Sequence, residues 1–160
     1  MEEISCHPFE ISQIQRLAQI CFRDTYKAIL SPTQMEYMID WMYSDSSLKR
    51  QITEGCVYTL FQKNNTDVGY ISVQKIGDVC HLHKIYLDPK EHKNGIGKVM
   101  MNCVKSWATQ NYCKTIILNV NRFNKTIGFY QKMGFVVIRQ EDNEIGNGFY
   151  MNDFVMEFVC

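Results

Sequence analysis

The chain has no net charge, 17 basic residues balancing 17 acidic ones. No global field therefore draws it to nucleic acid or to an anionic membrane surface, and any affinity for an anion must be local. It has no apolar run near the length of a membrane span, and the start, MEEISCHPF, lacks a leader pattern. Repeats, linkers and low-complexity segments are also missing, with only three prolines in the chain. None of the seven cysteines forms a C-x-x-C pair, and their number is odd. They read as reduced thiols packed as small apolar residues in a reducing cytoplasm, not as a disulfide framework. His81 and His83 stand two apart, but no nearby pair completes a zinc set, so no metal is expected.

What remains is an ordinary globular composition. The 160 residues are 46% hydrophobic and 21% charged, which fits a single domain over 1–160 with one substantial core. Glu2–Pro8 reads as a short strand. Helical spacing of Ile11, Ile14, Leu17, Ala18, Cys21 and Phe22 predicts a helix to Tyr26. Ser31-Pro32 opens a second helix as N-cap and first residue, carrying Met35, Met38, Ile39 and Met42. Ser44–Thr53 reads as another helical turn or two. Three strands follow, Cys56–Gln62, Asp67–Ile76 and Asp78–Leu87, with turns at Asn64-Asn65 and Gly77-Asp78. Then come a helix from Ile96 to about Gln110, a strand Thr115–Val120, a helix Asn124–Met133, and strands Phe135–Glu141 and Phe149–Phe158. The meander of three strands argues against a doubly wound sheet. The later β-α-β-α-β run argues for a parallel pairing. The expected sheet is mixed, with any gap where pairing changes mode.

The densest signal lies between His81 and Ala108: an alternating strand, a proline-broken loop, then Gly-Ile-Gly opening an amphipathic helix. Such a junction gathers free N–H groups and the positive end of a helix dipole. Gly95 and Gly97 remove side chains where a ligand would come close. Asn94, Gly95, Ile96, Gly97 and Lys98 offer successive N–H donors. Lys93 and Lys98 add positive charge, with Lys90 and Lys125 nearby. Taken alone, the loop is either a phosphate cradle or a simple helix cap. The Walker loop is absent, and Met100 stands where a dinucleotide fingerprint requires glycine.

IYLDPKEHKNGIGKVMM resembles the acetyl-CoA motif of the GNAT N-acetyltransferase superfamily. NVNRFNKTIGFYQKMGF resembles its second signature, with Asn124 and the F-Y-x-K-x-G-F ending of Phe129 to Phe135. His92 departs from the Gln or Arg usual in the family. The resemblance implies an α+β (mixed α/β) GNAT fold: about seven strands, mostly antiparallel, and about four helices. It implies acetyl-CoA as cosubstrate. Ile85, Tyr86 and Leu87 would pair with the pantetheine arm in a splay between two strands. His92, Lys93, Asn94, Gly95, Ile96, Gly97 and Lys98 would hold the pyrophosphate. Asn124 would reach the cofactor arm, and Tyr130 would face the sulfur.

The implied chemistry is direct transfer of the acetyl group to a primary amine. The amine must shed a proton, since an alkylamine of pKa about 10.4 is only about one part in a few thousand neutral at pH 7. A Tyr130 hydroxyl can protonate or hydrogen-bond the departing sulfur. A backbone N–H near Leu87 can polarise the carbonyl. Many relatives carry a glutamate on the strand before the loop. Here His81 holds that place and His83 follows on the same face. Either relays the amine's proton through water, or both only line the sheet. On reference pKa values a histidine is the better-matched acceptor by about 2 units.

The acceptor pocket would be walled by Asp24, Tyr26, Tyr37, Asp40 and Trp41 and by Glu141, Glu144, Tyr150 and Asp153. The acidic ones read equally as a solvated surface. EIGNGFYMNDFVMEF is similar to the tail of bacterial relatives that acetylate polyamines and related small amines. Acidic and aromatic groups suit an ammonium. A protein N-terminus, a lysine side chain or an aminoglycoside are the other acceptors. A catalytically silent acyl-CoA module and an unrelated phosphate-ligand binder are the rival classes. Gly146-Asn147-Gly148 reads as a mobile loop over the pocket. The long apolar last strand reads as an edge needing cover, which favours a homodimer. The partners expected are a small-molecule amine and a second copy, with neither nucleic acid nor membrane.

Overall fold

The first three helices are each started by their own sequence. The computed structural model describes residues 3–160. Strand β1 spans Ile4–His7; Glu2, expected within it, lies outside the described residues. Helix α1 (Ile11–Tyr26) begins where the Glu10 N–H donates to Gln13 Oε1 at 2.8 Å. Helix α2 (Pro32–Tyr43) begins with Gln34 N–H donating to Ser31 Oγ at 3.1 Å. Ser44 ends α2 and caps α3 (Asp45–Thr53), so the expected turn or two is a nine-residue helix. Strands β2 (Val57–Lys63), β3 (Thr66–Ile76) and β4 (Val79–Leu87) follow. A single 3₁₀ turn, Pro89–Glu91, leads to α4 (Ile96–Gln110). Then come β5 (Thr115–Asn121), α5 (Ile127–Lys132), β6 (Val136–Gly146) and β7 (Phe149–Val159).

The seven strands form one sheet in the order β1-β2-β3-β4-β5-β7-β6. Among the described residues only β4 and β5 are parallel; the remaining five pairings are antiparallel. The mixed, mostly antiparallel sheet is borne out, and among the described residues five α-helices, four of them substantial and α5 of six residues, fit the expected number of about four.

Strand alternation feeds two cores, one on each side of the sheet. Phe61, Ile71, Cys80, Leu82, Ile116 and Leu118 pack under α4 with Met100, Met101 and Val104. Leu60 and Tyr70 pack under α1 and α2 with Ile14, Leu17, Phe22 and Tyr43. No described helix is long and apolar enough to cross a membrane.

Two expectations are corrected at the C-terminal end. The Gly146–Gly148 stretch is a tight hairpin, not a loose loop. β6 runs on past Glu141 to pair Glu144 with Tyr150. Asn147 and Gly148 both have positive φ, at 57° and 78°, the conformation that a two-residue hairpin turn needs. Helix α2 pins this hairpin: Tyr37 Oη donates to the Ile145 carbonyl at 2.7 Å and Gln34 Nε2 to that of Tyr150 at 3.0 Å. The last strand is also not an edge. β7 lies between β5 and β6, with both sides paired, so its length needs no cover. The edge is β6, where Val136, Val137 and Ile138 are exposed.

Candidate active site

A β-bulge makes the site. Ser72 pairs with Lys84 but Val73 pairs with Leu82, so His83 is an extra residue in β4. Bulges bend the strand that carries them. Strand β4 pairs with β5 only over Val79–Leu82, opposite Thr115–Leu118. Past the bulge it stays with β3 as far as Leu87 and leaves β5. Ile85, Tyr86 and Leu87 thus have no strand partner on that side among the described residues. Gly69, opposite Leu87, permits the close approach of β3: a Cβ there would lie 2.5 Å from the Tyr86 carbonyl oxygen.

This splay opens into a cavity of about 340 Å³. Leu82, His83, Ile85, Tyr86 and Leu87 form one wall, and Leu118, Asn119 and Val120 the other. Lys93, Gly95, Gly97 and Lys98 line its mouth with His92. Gly95 caps α4 at φ 79°, which a side chain would disfavour. Gly97 faces the Phe129 ring, which an added Cβ would meet at 3.6 Å. The bond from Val99 N–H to the Gly95 carbonyl, at 3.3 Å, closes the first turn of α4. The N–H groups of Ile96, Gly97 and Lys98 precede it, at the free end of the helix. Ile96 turns its side chain into the core and so can contribute only backbone, and Asn94 stays outside the lining. Lys90 and Lys125 do not line the cavity. The ring of His92 meets the Leu87 carbonyl at 3.1 Å through Nε2, so it ties the loop to the end of β4.

The inner end is a knot of phenols. Tyr26, from the last turn of α1, lies against Tyr86 and the Asn124 amide. Asn124 accepts from Thr126 N–H at 2.9 Å and Thr126 Oγ1 at 2.7 Å, so its NH₂ group is the part left for other contacts. Tyr130 is 8% exposed, between Phe129 and Phe135 at 5.6 and 6.2 Å. Burial raises the phenol pKa values of Tyr26 and Tyr130, and the Tyr26 phenol raises that of Tyr130 further. Tyr130 stays protonated and can donate.

A second cavity, of about 290 Å³, is lined by His81, Leu82, His83, Ile117, Leu118 and Asn119. His81 and Ile117 alternate with the core-facing Leu82 and Leu118 and so open on the α1–α2 side of the sheet. Leu82, His83, Leu118 and Asn119 border both cavities, which therefore meet at the apex of the splay.

A family model described as the acetyltransferase (GNAT) family matches residues 13–135. The chain belongs to the GNAT acetyltransferase family. Among solved structures, the PaiA N-acetyltransferase of Thermoplasma acidophilum, in complex with coenzyme A, superposes with a TM-score of 0.82 at 24% identity over 99% of both chains. The ribosomal-protein-S18-alanine N-acetyltransferase of Escherichia coli gives 0.73 at 17% over 99% of this chain and 94% of that one. Naa50 of Arabidopsis thaliana, bound to the bisubstrate analogue CoA-Ac-MVNAL, gives 0.69 at 21% over 98% and 99%. At these identities the likeness is one of fold. Acetyl-CoA is the cosubstrate of this GNAT N-acetyltransferase, and the residues present fit it. A glycine-opened helix end suits a pyrophosphate, and the free β4 edge suits the amide-bearing arm.

In the acetyltransferase His81 and His83 do come together, with nearly parallel rings 6.0 Å apart. His83 bonds Gln74 Oε1 at 2.8 Å through Nε2. Burial lowers both histidine pKa values, and for His83 the His81 ring and the Lys84 ammonium also disfavour its charged form. Solvent at the outer edge of His83 softens that push. Both are neutral at pH 7 and able to accept a proton, but the better match drawn from reference values shrinks. Of the expected acidic wall, Asp24 pairs with Lys27 at 2.8 Å. Glu141 and Asp153 instead converge on Asn119, whose Nδ2 donates to them at 3.3 and 3.4 Å.

Sequence reasoning missed Asn119, Thr25, Thr126 and Lys84. It placed Tyr26 in the acceptor wall, whereas Tyr26 lines the first cavity, beside the glycine-opened helix end. Tyr26 continues the buried face of α1 four residues after Phe22, a signal legible in the periodicity. Lys84 had no such signal. It is 7% exposed, with its Nζ bonded to Tyr58 Oη and, at 2.7 Å, to Gln51 Oε1. The Tyr43 ring lies 4.6 Å from Nζ, and no described carboxylate pairs with it. Burial pushes this amine down to about 7.

Proposed function

We propose that the enzyme transfers the acetyl group of acetyl-CoA to the primary amine of a small molecule such as a polyamine, within one domain spanning 1–160. The observation that carries this reading is the β4–β5 splay, which joins a glycine-opened helix end on one face to a second cavity on the other. Lys93, Asn94, Gly95, Ile96, Gly97 and Lys98 hold the pyrophosphate, chiefly through backbone N–H groups, and His92 braces that loop. Ile85, Tyr86 and Leu87 bind the pantetheine arm along their free edge, and Asn124 orients its end.

The thioester supplies an activated acyl carbon. The chain's part is to aim the amine at it, polarise its carbonyl and manage two protons. A C–N bond forms as the C–S bond breaks. Tyr130 donates a proton or hydrogen bond to the sulfur, and a β4 backbone N–H near Leu87 faces the carbonyl oxygen. His81 or His83, neutral and beside the apex, accepts the amine's proton through water.

A slender acceptor is favoured over a folded protein's N-terminus or lysine. Helix α2 holds the β6–β7 hairpin in place through Tyr37 and Gln34. The seven unpaired thiols suit a reducing cytoplasm. The exposed β6 edge supports a homodimer, which light scattering in solution checks.

The test is thiol release from acetyl-CoA across spermidine, lysine-bearing and alanine-ended peptides and aminoglycosides. Turnover on small amines well above that on peptides is expected. Stabilisation by CoA without turnover on any amine would instead mark a silent acyl-CoA module. Stabilisation by ATP and not CoA would sink the assignment.

A further inference from the structure

Asn119 is exposed on β5 and borders both cavities where they meet. Its amide NH₂ is committed backwards, to Glu141 Oε2 and Asp153 Oδ2. Turning the amide over would set its carbonyl oxygen against two carboxylates, so those two groups fix its orientation. The oxygen Oδ1 is what remains for the cavity.

Charge behind this wall is only partly compensated. Asp153 is 6% exposed, and its Oδ1 has no hydrogen-bond partner. The nearby cations are taken: Arg122 pairs with Asp142, and Arg139 with Glu141 at 2.8 Å. Burial and the neighbouring Glu141 raise the pKa of the Asp153 carboxyl, and Arg122 opposes them without bonding to it, so this buried carboxylate lacks the paired counter-charge such groups normally have. The field at Asn119 therefore favours an N–H donor carrying positive charge.

We propose that Asn119 Oδ1 receives an N–H of the acceptor amine, and that Asp153 and Glu141 are positioning residues acting through it. The inference rests on the acetyl-transfer reading of the same site and names how its acceptor is aimed. An attacking amine must turn its lone pair towards the splay and its N–H bonds away. An acceptor atom fixed at the meeting point of the cavities imposes that orientation. The substrate class is a primary amine that arrives as a cation; a neutral hydroxyl gains nothing from the two carboxylates.

The test uses the full chain, with acetylation of spermidine, 1,4-diaminobutane and an alanine-ended pentapeptide measured under varied amine and varied acetyl-CoA. Asn119→Leu should lower kcat/KM for the amine at least tenfold and leave the KM of acetyl-CoA within twofold. Asp153→Asn should lower it severalfold alone, yet add less than twofold in the Asn119→Leu background. Asn119→Ala replaces the leucine variant if that one folds poorly. Amine kcat/KM within twofold of the parent in Asn119→Leu overturns the proposal, as does an equal loss for both substrates. Fully additive losses with Asp153→Asn overturn the positioning role. A parent protein stabilised by acetyl-CoA that acetylates none of the three amines overturns the amine class. Absence of any stabilisation by acetyl-CoA would instead overturn the reading on which the proposal rests.

Discussion

Lys84→Met tests the electrostatics beside the bulge. The wild-type ammonium is enclosed by Gln51, Tyr58 and the Tyr43 ring, without a carboxylate, and burial moves its pKa from 10.5 to about 7. In the unfolded chain the lysine keeps its proton until about pH 10.4. Between about 7 and 10 the unfolded state therefore binds the extra proton, and folding stability rises with pH. Below pH 7 the amine is charged in both states, and the full cost of burying the charge is felt. Each unit of depression is worth about 1.4 kcal/mol, so that cost is on the order of 4 to 5 kcal/mol. Methionine fills the same channel as the lysine stem, one heavy atom shorter, and carries no titratable proton. Gln51 and Tyr58 keep their own bond at 2.5 Å, so few groups are orphaned. Urea unfolding of both proteins at pH 6, 7, 8 and 9 gives the difference in stability, in which titrations common to both cancel. Between pH 7 and 9 the wild type should gain about 2 to 3 kcal/mol on the variant. A difference constant within about 0.5 kcal/mol over that range would refute the neutral buried lysine, since the slope is the signature of a proton lost on folding.

Gly69→Ala places a methyl 2.5 Å from the Tyr86 carbonyl oxygen, so β3 and β4 must separate. A loss of roughly 1–3 kcal/mol by chemical denaturation, together with weaker acetyl-CoA binding by calorimetry, is expected. Tyr130→Phe should lower kcat about 10- to 100-fold while acetyl-CoA affinity stays within twofold, because only the proton donor is removed. His81→Ala and His83→Ala should each be assayed from pH 5 to 9. Burial lowers both histidines, so the acid limb of the profile belongs below 6.5, and the variant that loses its base loses that limb. Identical profiles in both variants and the parent would remove both from the mechanism.

The strand, proline turn and glycine-opened helix from His81 onward were legible because each rests on local rules. Alternation marks β4, Pro89 breaks it, and Gly95 takes a φ that other residues avoid. Period and capping likewise marked α1 and α2. The length of β6 escaped because its polar run, Glu141 to Glu144, has no apolar alternation and is held in the sheet by pairing with β7. The mobile-loop reading failed for a related reason: Tyr37 and Gln34 lie more than a hundred residues away in sequence from the carbonyls they bind.

By itself the sequence determined the element order, the cradle with its two glycines, and the tyrosine of the second signature, since those depend on neighbours along the chain. Tertiary structure alone decided where β4 leaves β5, because the bulge at His83 is defined by register against β3. It also decided that β7 inserts between β5 and β6, which brings Asp153 and Glu141 to Asn119. The same bulge set Lys84 on the α1–α2 face of the sheet, against Gln51, Tyr58 and Tyr43. Strand register and strand order are long-range choices, made by whichever pairing buries the most apolar surface, and no local pattern records them.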